Sequence, residues 1–243
     1  NDWFKISNSQ YLSVIGENGL GKSSLLAYWA QSFDACNPDV AVIFHSIGNG
    51  SCDNSTQQIW KHISSELANI YNVEIDSDID TSSLNDIQNI YSKVAGLKNT
   101  KIILDGVNNL SSDNNDKQLL WIGYPPKNIR FVFSSVKTDD TFDVLDYNDY
   151  QLFEIRPFNK SVRNQIINQY LHRYGKKLSK DQNEKILNHP LMENTQLMCT
   201  LLSEIVSFSI RRELDSKISY YLESKSIREF YHRVIERFEE ELG

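Results

Sequence analysis

Gly16-Glu17-Asn18-Gly19-Leu20-Gly21-Lys22-Ser23 is the stretch that decides the reading of this chain. It fits the phosphate-binding pattern G-x-x-x-x-G-K-[ST] at every fixed position. The apolar run Tyr11-Leu12-Ser13-Val14-Ile15 leads into it and reads as a buried strand. Ser24-Leu25-Leu26-Ala27-Tyr28-Trp29-Ala30 leads out and reads as a helix. Each residue type has work to do in that setting. The glycines let the backbone turn tightly and bring successive N–H groups onto phosphate oxygens. A helix starting near Lys22 aims its unpaired N–H groups and positive dipole end at the same oxygens. Gly16, Glu17, Asn18, Gly19, Leu20, Gly21, Lys22, Ser23 and Ser24 would then cradle the phosphates of a nucleotide. Lys22 would reach the β- and γ-phosphates, and the Ser23 hydroxyl would be a Mg²⁺ ligand. The plain alternative is a glycine-rich turn with an incidental lysine, which lacks a reason for the flanking strand and helix.

Further apolar runs extend the pattern. Val40-Ala41-Val42-Ile43-Phe44-His45 reads as a second strand, Lys101-Ile102-Ile103-Leu104-Asp105 as a third, Ile129-Arg130-Phe131-Val132-Phe133-Ser134-Ser135 as a fourth, and Tyr150-Gln151-Leu152-Phe153-Glu154-Ile155 as a fifth. Helices lie between them, from about Ser55 with Ile59, Trp60, Ile63, Leu67, Ile70 and Tyr71 on one face, and from about Leu84 to Leu97. Strands separated by helices require parallel pairing, which predicts a five-stranded parallel sheet with the first and third runs adjacent or one strand apart. Asp105 ends an apolar strand, where a phosphate-loop protein puts its second Mg²⁺ carboxylate; opening a turn with Gly106 is its simpler role. Ser134 and Ser135 end the fourth strand, where a hydroxyl can meet the γ-phosphate or its water or merely close the strand.

After Pro157 the strands stop. Val162, Ile166, Ile167, Tyr170 and Leu171 form a helical face, and Ser179–Gln182 and Ser226–Glu229 read as capping boxes. The last helix carries Ile227, Phe230, Tyr231, Val234, Ile235 and Phe238 at helical spacing, expected to face a core, with Arg228, Arg233 and several Glu opposite. Residues 1–157 therefore read as α/β and 158–243 as all-helical. His189-Pro190 lies between helices; Pro190 most simply ends one, and a contact with the nucleotide base would be an additional role.

The chain has 243 residues, 40% hydrophobic and 11% aromatic, enough to fill a core. Its net charge is −7 and no basic stripe breaks that balance, which argues against direct nucleic-acid binding. Cys36, Cys52 and Cys199 lack metal-ligand spacing, none of the five histidines has a ligand-spaced neighbour, and Cys199 is expected to be a buried free thiol. Glu74, Asp76, Asp78 and Asp80 lack the central glycine and terminal glutamate of a calcium loop and read as a solvated acidic connection; Gly48 to Asn54 reads as a polar loop. No apolar run approaches the ~20 residues that span a membrane. These features, with no signal peptide at the start, predict a cytoplasmic piece of a longer protein.

The motifs stand in a recognisable order: GENGLGKSSLL, IILDGVNNL, PPKNIRFVFSS, FEIRPF, then a helical part with NHP and NTQL. The chain resembles the NACHT-type NTPases of the STAND class, especially the branch of the nephrocystins and the telomerase-associated protein. The resemblance implies an ATP- or GTP-dependent switch with Mg²⁺, in which sensor and effector domains of the same chain are controlled by homo-oligomerisation in signalling or defence, and a winged helix beyond this segment. Lys22, Ser23 and Asp105 match the lysine, hydroxyl and aspartate of that family. Three departures weaken hydrolysis relative to binding. Asn108 and Asn109 stand where many relatives are acidic, Val136 stands where related ATPases carry an arginine, and Asn194-Thr195-Gln196-Leu197 stands where relatives have a proline near the base. The expectation is a purine-nucleotide switch with slow hydrolysis. The competing readings are a turnover ATPase or phosphotransferase, for which no acceptor pocket is legible, and a degenerate module that only supports assembly.

Overall fold

The computed structural model describes residues 9–48, 54–75, 83–110, 116–147, 150–208 and 213–242. Cys52, Asp76, Asp78, Asp80 and most of the loop from Gly48 to Asn54 lie outside those residues. The chain divides into two units, residues 1–17 with 22–155, and residues 18–21 with 156–243.

The first unit is built on a sheet of β1 (Tyr11–Ile15), β2 (Val40–Ser46), β3 (Asn99–Asp105), β4 (Ile129–Ser135) and β5 (Gln151–Glu154), in the order β2-β3-β4-β1-β5. Every neighbouring pair is parallel, and β4 separates β1 from β3. The helices α1 (Lys22–Cys36), α2 (Thr56–Tyr71), α3 (Leu84–Val94) and α4 (Asp140–Tyr147) supply the connections. Side-chain alternation along the strands sorts the core into two layers. Ile102, Leu104, Phe131 and Phe133 face one way and pack with Ile59, Trp60, Ile63 and Leu67 of α2 and Ile87, Ile90 and Val94 of α3. Ile103, Val132 and Val14 face the other way and pack with Leu26 and Ala30 of α1. Each fully buried side chain of this size contributes about 1.5–3 kcal/mol. The polar edges of the buried aromatics are satisfied: Trp60 Nε1 donates to the Trp121 carbonyl at 3.0 Å, and Tyr91 Oη to the Ile122 carbonyl at 2.8 Å.

Two expectations fail in this unit. The helix read to Leu97 stops at Val94, because Asn128 intervenes. Its Nδ2 donates to the Val94 carbonyl at 2.9 Å and its Oδ1 accepts from Gly96 N at 3.2 Å. Gly96 then leaves in the left-handed region, at φ 73°. The fifth strand is shorter than the run from Tyr150 to Ile155 and exposed along its length, as an edge strand with one bare side.

The second unit contains α5 (Lys160–Arg173), α6 (Lys180–Asn188), α7 (Thr195–Ser207), α8 (Leu214–Leu222) and α9 (Ile227–Leu242), with a short 3₁₀ turn at Pro190–Glu193. Its own core joins Ile167, Leu171, Ile186, Met192, Leu201, Tyr221 and Phe230. Ser179 and Gln182 form the expected capping box. At the other expected box, Ser226 caps Glu229 N at 3.2 Å, but the Glu229 carboxylate reaches one residue further back, to Lys225 N at 2.9 Å. The apolar stripe of α9 is only partly core. Phe230 and Val234 are buried, whereas Ile227, Ile235 and Phe238 are about half exposed. Arg237, which lies outside that stripe, is buried in an ion pair with Glu204. Cys199 is free and only half-buried.

Candidate functional site

The register of the sheet places the site. Ile15 of β1 stands beside Ser135 of β4 and Glu154 of β5, and Asp105 of β3 stands beside Ser46 of β2. The first glycine of the phosphate loop, Asp105, Ser134 and Ser135 therefore share the carboxyl edge of one sheet, where open α/β sheets bind ligands.

Gly16 leaves β1 with its N–H on the Ser135 carbonyl at 3.4 Å. A Cβ there would sit 2.9 Å from the Ile155 carbonyl oxygen, so only glycine fits. Gly21 has room around it but holds φ at 93°, a conformation other residues adopt only under strain. Lys22 opens α1, and its ammonium donates to the carbonyls of Gly16 at 2.8 Å and Glu17 at 3.1 Å, arching over the loop. Burial lowers its pKa, opposed by the charges of Asp105 and Glu17. Ser23 and Ser24 follow in the exposed first turn of α1, and that turn carries no acid that would repel an anion. Leu20 is buried, so only its backbone is available to a phosphate.

Within the second unit, residues 18–21 are tied to the start of α7. Asn194 Nδ2 donates to the Asn18 carbonyl at 2.8 Å and Gln196 N to the Gly19 carbonyl at 2.9 Å. Asn194 also caps α7 by accepting from Leu197 N at 3.1 Å, which gives this segment a job that its sequence did not announce. Pro190 is exposed and opens the 3₁₀ turn directly after α6, so it ends that helix as expected.

Asp105 is 4% exposed and held by two hydroxyls. Ser134 Oγ donates to its Oδ1 at 2.5 Å and Ser46 Oγ lies 3.5 Å from Oδ2. Ser134 Oγ also accepts from Gly106 N at 2.8 Å. With its proton on Asp105 and a lone pair on the backbone, Ser134 holds the aspartate in place. Ser135 is likewise engaged, in a chain through Thr141 at 2.7 Å to Asp139, whose carboxylate pairs with Lys117. Asn109 donates to the Ile47 carbonyl at 3.0 Å and accepts from Asn108 Nδ2 at 2.9 Å, so this amide ties the end of β2 to the loop after β3.

Sequence reasoning missed Ser46, Thr141 and the ion pair of Lys137 with Glu154. Only Lys137 left a signal, one place after the Val136 that replaces an arginine.

The donor set suits a hard ion shared with phosphates. Among the described residues no three His, Cys, Asp or Glu side chains converge to hold a metal alone. Mg²⁺ in nucleotide sites takes one or two protein oxygens and completes its shell with phosphate and water. Asp105 and Ser23 would be the candidates for such oxygens. No described helix is long and apolar enough to cross a membrane.

No family model matches the chain. Among curated proteins it is similar to a TPR repeat-containing protein of Dictyostelium discoideum, at 24% identity over 97% of this chain and 17% of that protein. It is also similar to tetratricopeptide repeat protein 41 of Rattus norvegicus, at 24% identity over 95% of this chain and 19% of that protein. The chain thus spans less than a fifth of the length of these relatives. Among solved structures it is similar to the Walker-type ATPase of Pyrococcus abyssi, with a TM-score of 0.61 and 10% identity over 88% of this chain and 67% of that one. Domain III of the Thermotoga maritima replication initiation protein DnaA gives a TM-score of 0.57 and 12% identity over 92% of this chain and 89% of that one. The Aeropyrum pernix ORC2 protein gives a TM-score of 0.55 and 14% identity over 90% of this chain and 63% of that one. The sheet order, the complete phosphate loop on β1 and these likenesses together establish a P-loop NTPase fold: a five-stranded parallel sheet with helices, and substantial further helix after it.

Proposed function

We propose that the chain is the nucleotide-binding module of a STAND-type switch, taking a purine nucleoside triphosphate, ATP first, with Mg²⁺. The observation that carries this is the complete phosphate loop leaving β1 at the same carboxyl sheet edge as the buried Asp105. On binding, the Lys22 ammonium would leave the Gly16 and Glu17 carbonyls for the β- and γ-phosphates. The N–H groups of residues 16–24 would take the phosphate oxygens, and Asp105 and Ser23 would hold the metal. Mg²⁺ would supply charge neutralisation on the phosphates.

The switch part of the reading draws on two supports. One is that, among the described residues, no free base stands beside Asp105. The other is the relatives, which are named for tetratricopeptide repeats and of which this chain spans only 17% and 19%. Repeat arrays present extended concave binding surfaces. Such an array in the same longer chain would be the sensor, with nucleotide-bound modules assembling as homo-oligomers to engage an effector in signalling or defence.

Calorimetric titration with ATP-Mg²⁺ tests the binding. Lys22→Ala removes a charge-assisted contact worth roughly 1.5–3 kcal/mol and should weaken affinity at least tenfold. Equal affinity of the two proteins would refute the assignment.

A further inference from the structure

The described part of the first unit holds one pair of imidazoles that the nucleotide site does not use. His45 is the penultimate residue of β2, and His62 lies midway along α2. Their Nδ1 atoms are 3.2 Å apart, with ring centroids 5.0 Å apart and planes at 45°. Neither position is accidental. Ile43 and Ile47, two residues to either side of His45, are buried in the core layer that packs on α2, so alternation along the strand sends His45 to the same side. Ile59, Trp60 and Ile63 are fully buried in that layer and fix the rotation of α2, which sets where His62 points. Both rings are half-buried, and among the described residues β2 is the last strand of its edge, paired with β3.

The separation has a chemical meaning. Zinc–imidazole bonds are about 2.0–2.1 Å long in a tetrahedral shell, which puts two ligating nitrogens about 3.3 Å apart. We propose that His45 and His62 form a two-imidazole clamp for a borderline-soft divalent transition ion, with Zn²⁺ as the representative ion. Neutral imidazole is a poor ligand for Mg²⁺, which demands oxygen, so this site and the nucleotide's metal site select different ions. Two ligands on one strand and one helix are held more precisely than ligands on loops. The remaining coordination positions fall to water or to an incoming ligand, because no third His, Cys, Asp or Glu joins the pair among the described residues. Half the ligand set of a structural zinc site sets the dissociation constant at about 10 μM, an exchangeable site and not a permanent one.

Zn²⁺ alone, titrated calorimetrically into the full chain without nucleotide or Mg²⁺, should bind with one ion per chain. His45→Ala and His62→Ala should each weaken binding at least tenfold, while Cys36→Ser should leave it unchanged. Nitrogen-15 spectra of the unmodified chain's imidazoles give a second readout that no folding defect can confound. One equivalent of Zn²⁺ should move the Nδ1 resonances of both rings together and leave their protons on Nε2. A pair of rings that keeps an Nδ1–H···Nδ1 hydrogen bond at saturating Zn²⁺, or Zn²⁺ affinity unchanged in the double variant, would overturn the proposal.

Discussion

At the residue scale the most informative atom is Ser134 Oγ. It donates to Asp105 and accepts from Gly106 N, so its effect on nucleotide should run through the aspartate. Ser134→Ala would leave a carboxylate that is 4% exposed short of a partner, a loss of about 1.5–3 kcal/mol for a hydrogen bond to a charged group. The expected result is a lower denaturation midpoint and a steeper requirement for Mg²⁺ in nucleotide binding. A fall in turnover with the Mg²⁺ requirement unchanged would instead return Ser134 to the reacting water. Lys101 offers a second residue-level test. It lies on β3 at 6% exposure, and burial, reinforced by Arg130, lowers its pKa to about 8. Between pH 8 and the ordinary lysine value the unfolded chain then binds more protons than the folded one, so stability rises with pH across that window. Below it the penalty is fully present. Lys101→Met should remove the penalty, stabilising the first unit by about 1–2 kcal/mol at pH 7. The gain is kept below the full 1.36 kcal/mol per unit because water still reaches part of the side chain. Chemical denaturation at pH 7 and pH 10 checks this: the gain should shrink at the higher pH, and a gain equal at both would mean that packing, not charge, is responsible.

At the element scale the helical unit is joined through a buried cluster on α7, α8 and α9. Arg237 Nη2 meets Glu204 Oε1 at 3.0 Å, its Nε lies 2.5 Å from Oε2, and Tyr221 Oη donates to the same Oε2 at 2.6 Å. Breaking a buried pair leaves an uncompensated charge and costs about 3–5 kcal/mol, whereas replacing both partners by apolar groups is often neutral. Arg237→Met should therefore destabilise strongly, and Arg237→Met with Glu204→Met should recover most of the loss. A double-mutant cycle by urea denaturation measures it; simple additivity of the two single losses would show that the partners do not depend on each other. This cluster also marks where sequence stops being legible. The strands were legible because short continuous apolar runs, bounded by turns and separated by helical patterns, admit few other structures, and the phosphate loop because its spacing is chemical. Residue 237 was not, since a helical wheel cannot show that an acid on another helix will pull an arginine into the core and leave Ile235 and Phe238 outside. Asn128 ending α3 and Ser134 holding Asp105 are invisible for the same reason: each joins positions about thirty residues apart, and no local pattern encodes that pairing.

At the scale of the whole molecule the question is how fast a bound nucleotide would be consumed. Hydrolysis needs neutralised phosphates and a positioned, activated water. Lys22 and the ion held by Asp105 would provide the first. Among the described residues the second has no donor. Asn109 is tied to the Ile47 carbonyl and to Asn108, and an amide cannot take a proton as a carboxylate can. Ser134 is committed to Asp105 and Ser135 to Thr141. Losing a general base typically costs 10²–10⁴-fold, about 3–5 kcal/mol at 1.36 per decade. The isolated chain should therefore bind ATP-Mg²⁺ but release phosphate slower than about one per minute, far below the ~10 s⁻¹ median of enzymes. A neighbouring copy could recover part of the barrier by supplying an arginine in trans, in which case turnover per chain should rise with protein concentration. Steady-state phosphate release at saturating ATP-Mg²⁺ decides the matter, with Asp105→Asn as the blank. A slow rate at low concentration fits a timer whose lifetime in the bound state governs assembly. Turnover above about 1 s⁻¹ that disappears in Asp105→Asn would mean that a base is present after all and that this chain works as a turnover ATPase.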